Sequence, residues 1–196
     1  VPMVEKEKQL GHFIESNRGG IHTYLFPKKM VMDAGGFDEA LYACEAFDLT
    51  LRLILQGAYV RRIEYNGCCY RLLNTSMSND TLHMFLEKCK VYEKLSGSLW
   101  ERKERFDAFL KEKVVQKNIL LIDECLIRGL ALDKVLPSTA RLTAFIYRQE
   151  KQGLNRVFYQ CLGIKNYSRL TCYQRTRSDE GYRNRLLTQE VSWKIA

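Results

Sequence analysis

The spacing of apolar residues changes near residue 78, and this change limits the folds open to the chain. Before it, short apolar runs alternate with glycine breaks such as Gly35-Gly36 and Gly57. After it, apolar residues recur every three or four positions, as on one face of an α-helix. We therefore predict a mixed first part, residues 1–78, and a helical second part, residues 79–196, that ends in a basic tail.

Two segments of the first part are predicted to be β-strands. Residues 21–26, Ile-His-Thr-Tyr-Leu-Phe, are rich in aromatic and β-branched side chains and end at a proline. Residues 58–63 follow a glycine and alternate in part between apolar and polar side chains. Two or three strands make a poor sheet alone, so this part would need a larger sheet than it can supply. The predicted fold class is α/β, followed by an all-helical C-terminal region.

Glycine, proline and serine mark the ends of the predicted helices. Residues 28–34 fit a short helix that a glycine pair ends, and residues 45–56 fit a largely buried helix that one glycine ends. The sequence Ser-Leu-Trp-Glu at residues 98–101 matches a capping box, which predicts a helix start there. Pro137 predicts another start, of a helix that Gly153 would end.

Composition excludes several classes of protein. Of the 196 residues, 46% are hydrophobic and 28% are charged, which is typical of a globular rather than a disordered chain. No apolar run approaches the roughly 18 residues of a membrane span, and the first residues carry no secretory signal pattern. The seven cysteines include no C-x-x-C pair, so we expect free thiols, no metal site and a cytoplasmic protein.

The net charge of +8 is concentrated late in the chain. The basic residues there are Arg169, Arg175, Arg177, Arg183 and Arg185. Tyr167 lies just before them, and Tyr173 and Tyr182 lie between them. Such a tail suits contact with phosphates, either of a nucleotide or of a membrane that it meets peripherally. Arginines beside tyrosines also suit single-stranded nucleic acid. No RNA-binding or helix-turn-helix motif accompanies them, so no specific nucleic-acid partner is expected.

The most distinctive stretch begins at Gly35-Gly36-Phe37-Asp38-Glu39 and continues, after five residues, with Glu45-Ala46-Phe47-Asp48-Leu49 and then Arg52. The glycine pair allows a turn with positive φ. Glu45, Asp48 and Arg52 are spaced by three and four residues, so they share one helix face. Asp48 and Arg52 are therefore either an ordinary helix ion pair or site residues. A carboxylate at the helix start, if it faces a cleft, could accept the proton of a hydroxyl group.

This stretch resembles the G-G-F-D-E … E-D-x-D-L-x-x-R pattern of family 2 glycosyltransferases with the GT-A fold, over roughly residues 8–80. The resemblance implies a partial GT-A-like fold whose nucleotide-binding half is absent. It also implies transfer of a sugar from a nucleotide-sugar to a glycan or lipid-linked acceptor by the complete enzyme, as in cell-surface polysaccharide synthesis. The implied catalytic residues are Glu45 and Asp48, and the implied acceptor-binding residues are Gly35, Gly36, Phe37, Asp38 and Arg52.

Three departures from the family pattern bear on activity. The aspartate that usually serves as base is replaced by Ala46, and the position of a metal-binding histidine after Tyr70-Arg71 is Leu73. No D-x-D occurs, so Mg or Mn is expected only for an intact enzyme. This chain alone is expected to be inactive. The alternative is a non-catalytic relative that serves as a binding or interaction module. An exposed sheet edge would favour a homo-oligomer.

Overall fold

The computed structural model describes residues 5–15, 19–61, 63, 67, 69, 79–150 and 168–188. About 73% of these residues are helical, and none of them forms a strand. The prediction of an α/β fold with a partial GT-A-like sheet is therefore wrong for the part of the chain that the structure describes. The described fold is mostly helical on both sides of residue 78.

Neither predicted strand forms. Ile21–Thr23 is a short 3-10 helix, and residues 24–26 and 58–61 have no regular structure. For the second segment the reason is visible at Val60, whose N–H donates to the side chain of Gln9 at 2.9 Å and whose carbonyl accepts from it at 2.6 Å. The side-chain amide satisfies both backbone groups that a neighbouring strand would have bonded. Aromatic and β-branched residues favour strands only where a pleated, half-buried surface exists.

The described helices are α1 Gln9–Glu15, α2 Lys28–Asp33, α3 Glu45–Leu55, α4 Thr81–Trp100, α5 Ala108–Ile127, α6 Leu132–Val135, α7 Pro137–Glu150, α8 over residues 168–178 and α9 Glu180–Thr188. Short 3-10 helices occupy Lys6–Lys8, Ile21–Thr23 and Lys103–Arg105. The predicted helices at 28–34 and 45–56 are confirmed, as is the start at Pro137. Gly153 and Tyr167 lie outside the described residues, as do positions 70–78.

The predicted helix start at Ser98 is wrong. Helix α4 continues through Ser98 to Trp100, and the Ser98 hydroxyl donates to the carbonyl of Lys94 at 3.1 Å. A serine in the middle of a helix often bonds back in this way, four residues towards the N-terminus. The sequence at residues 98–101 fits a capping box, but the apolar residues of α4 are buried as far as Leu99. The packing of these residues stabilises the helix through Ser98, so no new helix starts there.

The chain divides into two compact units. The first unit comprises Val1–Val91 with Phe106–Val114, and the second comprises Tyr92–Arg105 with Val115–Ala196. In the first unit, α3 supplies most of the core, because nearly every one of its side chains is buried. In the second unit, the Glu93 carboxylate caps the N-terminus of α7, where it accepts hydrogen bonds from the N–H groups of Ser138 (2.5 Å) and Thr139 (3.0 Å).

Cysteines within the described residues are free thiols, namely Cys44, Cys69, Cys89, Cys125 and Cys172. Burial, which is the larger cause, and the nearby Glu124 and Asp123 carboxylates together raise the pKa of Cys125 and of Cys172 to about 11 from an ordinary value of 9.0. In the unfolded chain these thiols ionise near their ordinary pKa. The stability that the neutral buried thiols contribute is therefore complete below about pH 9 and is lost as the pH rises towards 11.

We expect the free energy of unfolding to fall between pH 9 and 11, by on the order of 2 kcal/mol for each buried thiol. Urea denaturation under reducing conditions at several pH values measures this slope. Cys125→Ala should make the slope shallower. Cys69→Ala, which removes an exposed thiol, should leave it unchanged. Equal slopes in the wild type and the Cys125 variant would contradict the assignment.

Candidate functional site

The glycine pair ends α2 in a tight, fully bonded turn. The N–H of Gly36 donates to the carbonyl of Val31 at 2.9 Å, and that of Gly35 donates to Met32 at 3.0 Å. This is the Schellman arrangement of helix ends. The φ angles of Gly35 and Gly36 are 82° and 71°, and a Cβ atom at either position would meet nothing within 4 Å. The backbone conformation, and not a shortage of space, therefore requires glycine here.

Arg52 holds this turn against α3. Its guanidinium donates to the carbonyl of Ala34 at 2.5 Å and to that of Gly36 at 2.7 Å, while Nε donates to Asp48 Oδ2 at 2.8 Å. The Asp48 side chain is only 3% exposed. One hydrogen-bonded cluster therefore contains Gly36, Asp48 and Arg52, which the sequence indicated as separate candidate residues. Within it Asp48 orients Arg52, and Arg52 fixes the turn.

Phe37 and Asp38 follow the turn and have different surroundings. Asp38 Oδ1 accepts a hydrogen bond from the N–H of Ala40 at 2.9 Å, and its carbonyl accepts one from Leu41 at 3.1 Å. This local bonding makes Asp38 a turn former. Phe37 is one of the implied acceptor-binding residues, and its side chain is exposed. The exposed ring is thus open to a ligand that lies against this surface.

The start of α3 combines an unusual backbone with an available carboxylate. Cys44 precedes the helix with a φ of 64°, a region that side-chain-bearing residues rarely adopt and that recurs at functional sites. Glu45 is partly exposed, and its side chain makes no hydrogen bond or ion pair within the part of the chain that the structure describes. Its position at the helix N-terminus favours the negative charge.

Ala46 faces the core of the first unit. Its side chain is buried, and its carbonyl accepts a hydrogen bond from the Thr50 hydroxyl at 2.8 Å. A carboxylate at this position would be removed from solvent, which is costly without a partner. The resemblance places the usual base here, so among the carboxylates at the start of α3 only Glu45 remains both accessible and without a bonded cation.

The structure offers no metal site among the residues it describes. No group of three or more histidine, cysteine, aspartate or glutamate side chains is placed there to hold an ion. Leu73 and the Tyr70-Arg71 pair, where the resemblance locates a metal-binding histidine, lie outside the described residues. The described residues therefore do not fit the Mg or Mn that the resemblance implies for an intact enzyme.

A second polar cluster was missed by sequence reasoning. Asp123 is 0% exposed and accepts hydrogen bonds from Arg175 Nε at 2.7 Å, Arg175 Nη2 at 2.5 Å and the Tyr182 hydroxyl at 2.7 Å. Burial raises the pKa of Tyr182, and the hydrogen bond to Asp123 raises it further. The available signal was an aspartate that directly follows the apolar run Leu-Leu-Ile of α5, since an acid that is buried with such a run needs a partner.

The late arginines do not act as a uniform tail. Arg175 is committed to Asp123, and Arg185 pairs with Asp179. Arg169, Arg177 and Arg183 are exposed and form no ion pair with an acid whose side chain the structure describes. None of the helices in that range is both long enough and apolar enough to cross a bilayer.

The candidate site is the segment that we call the acceptor turn, residues 34–48, together with Arg52. It contains a glycine turn of fixed shape, an exposed aromatic ring and one unpaired carboxylate at a helix start. These are groups that can bind and deprotonate a hydroxyl compound. No protein-family model, no curated protein and no solved structure matches the chain.

Proposed function

We propose that the acceptor turn binds the acceptor of a family 2 glycosyltransferase-like protein, which transfers a sugar from a nucleotide-sugar to a glycan when complete. The observation that carries this proposal is the clamp made by Arg52. It joins the carbonyls of the glycine turn to the helix that begins at Glu45, with bonds of 2.5–2.8 Å. A rigid turn beside an acidic helix start supports a role in positioning a hydroxyl group.

Glu45 is the residue to which we assign the proton transfer. An acceptor hydroxyl would form a bond to the anomeric carbon of the donor sugar while the bond from that carbon to the nucleotide phosphate breaks. The nucleoside diphosphate leaves, and the hydroxyl proton passes to the Glu45 carboxylate. Asp48 has a different role, because its carboxylate is bonded to Arg52 and is nearly inaccessible. The proposal places no metal on the described residues.

The burial of Ala46 favours a second candidate, a non-catalytic relative that binds glycans or another partner. In that case the acceptor turn keeps its shape but does not catalyse sugar transfer, because the position of the usual base is occupied by the buried methyl group of Ala46. The enzyme and a relative that binds glycans both predict saccharide binding at the same residues. They differ in whether a nucleotide-sugar is consumed.

Saccharide binding to the whole chain tests the shared part of the proposal. On an array of oligosaccharides and lipid-linked sugars, we expect at least one ligand whose affinity falls about tenfold or more in Glu45→Ala, because a hydrogen bond to a charged group is lost. The matched control is Glu39→Ala, which removes an exposed acid from the same segment. An unpaired, partly exposed residue should be replaceable with little change in stability, and circular dichroism checks this.

Two outcomes would count against the proposal: no saccharide is retained, or the Glu45 and Glu39 variants lose affinity equally. Release of nucleoside diphosphate from a panel of UDP-, GDP- and dTDP-sugars separates the two candidates. Release that depends on Glu45 supports an enzyme, and binding without release supports a binding module.

A further inference from the structure

A groove of about 580 Å³ lies in the second unit, lined by the C-terminal end of α5 and by α8 and α9. Its apolar wall is formed by Leu126, Ile127 and Leu130. Cys172 lies beside them as a buried thiol that stays neutral near pH 7. The volume lies within the roughly 300–1,000 Å³ of small-molecule sites, so the groove has the size of a ligand pocket.

Three arginines line the same groove: Arg169, Arg177 and Arg183. Arg169 and Arg177 are separated by two turns of α8, and Tyr173 lies one turn from each, so all three share one helix face. Arg183 reaches the groove from α9. The groove therefore presents an apolar side, an exposed aromatic ring and three guanidinium groups.

Three acids near these arginines, among those whose side chains the structure describes, are bonded to other arginines. Asp123 is bonded to Arg175, and Asp179 is bonded to Arg185. Glu124 is bonded to Arg128 at 2.9 Å. Each of these three acids already has its own arginine, so none of them is the ion-pair partner of Arg169, Arg177 or Arg183. Three arginines around a concave, partly apolar site favour an anionic ligand, and guanidinium groups suit phosphate oxygens in particular.

We propose that this groove binds an organic diphosphate. The diphosphate, which carries about three negative charges at pH 7, lies among Arg169, Arg177 and Arg183. The organic part lies on Leu126, Ile127 and Leu130, with the ring of Tyr173 beside it. The concave shape favours a small molecule over a membrane surface or a nucleic-acid strand, which need extended contact. This inference is independent of the acceptor turn, which lies in the other unit.

Titration calorimetry on the whole chain with ADP, geranyl diphosphate and inorganic diphosphate tests the proposal. At least one organic diphosphate should bind about tenfold or more tightly than the inorganic ion, because only the organic compounds cover the apolar wall. Tighter binding of ADP identifies a nucleotide as the source, and tighter binding of geranyl diphosphate identifies a prenyl compound. Arg177→Gln should weaken that binding about tenfold, since it removes a charged hydrogen-bond donor.

The matched control is Arg185→Gln, which removes the same charge from α9 but not from the groove, and it should change the affinity less than twofold. Equal losses in the two variants would overturn the proposal, because the arginines would then act only as net charge. So would equal affinity for inorganic and organic diphosphates, or no binding of any probe. Binding to anionic vesicles or to single-stranded DNA that exceeds binding of every small probe would also overturn it.

Discussion

Replacing Arg52 with glutamine should lower the free energy of unfolding by about 3–5 kcal/mol, the usual cost of removing one partner from a buried ion pair. The substitution leaves the Asp48 carboxylate charged in a position that is 3% exposed. It also removes the donors that serve the carbonyls of Ala34 and Gly36. Urea denaturation at pH 7 measures the loss.

The control for this prediction is the pair Lys29–Asp33 in the same unit. It has the same spacing of four residues, but its side chains are 85% and 58% exposed. Lys29→Gln should therefore cost less than about 1 kcal/mol. The double variant Asp48→Asn with Arg52→Gln should recover part of the loss, because no buried charge remains. If Arg52→Gln costs no more than Lys29→Gln, the clamp is not structural and Asp48 regains its candidacy as a base.

Replacing Arg175 with glutamine should destabilise the second unit by a comparable amount, about 3–5 kcal/mol. Asp123 is fully buried, and Arg175 supplies two of the hydrogen bonds to its carboxylate. Tyr182→Phe removes a single hydrogen bond to the same carboxylate and should cost about 1.5–3 kcal/mol. Chemical denaturation that is followed by circular dichroism measures both values.

Arg185→Gln serves as the control for this second prediction, because its pair with Asp179 is exposed at the surface. Its expected effect is below about 1 kcal/mol. The order of the three variants is the test: Arg175→Gln should cost most, Tyr182→Phe less and Arg185→Gln least. A Tyr182→Phe variant as stable as the wild type would show that its hydroxyl does not support Asp123.

The helices were predictable where local chemistry decides them. Glycines 35, 36 and 57 end α2 and α3 with positive φ angles. This conformation is a property of the local backbone and does not depend on contacts with distant residues. The strand prediction at 58–63 failed because a strand depends on what lies beside it. There the partner of Val60 is a side chain 51 residues earlier, and no alternation of residue types reveals such a contact.

The site shows the same division. The four-residue spacing of Asp48 and Arg52 correctly placed them on one face, since neighbours within a helix follow from its geometry. The reach of Arg52 to carbonyls 16 and 18 residues away could not be read from that spacing. Likewise, the partner of Asp123 is Arg175, 52 residues later. The sequence has five arginines in that basic stretch and does not indicate which of them bonds to Asp123.

The bond pair between Gln9 and Val60 has a consequence for self-association. A glutamine amide carries one donor face and one acceptor face, as a peptide group does, so it imitates a single rung of a β-ladder. The peptide of Val60 is thereby saturated within its own chain. An extended segment of a second copy would have to displace the Gln9 amide before it could form backbone hydrogen bonds with Val60. Dimerisation by β-strand pairing is therefore blocked at this residue.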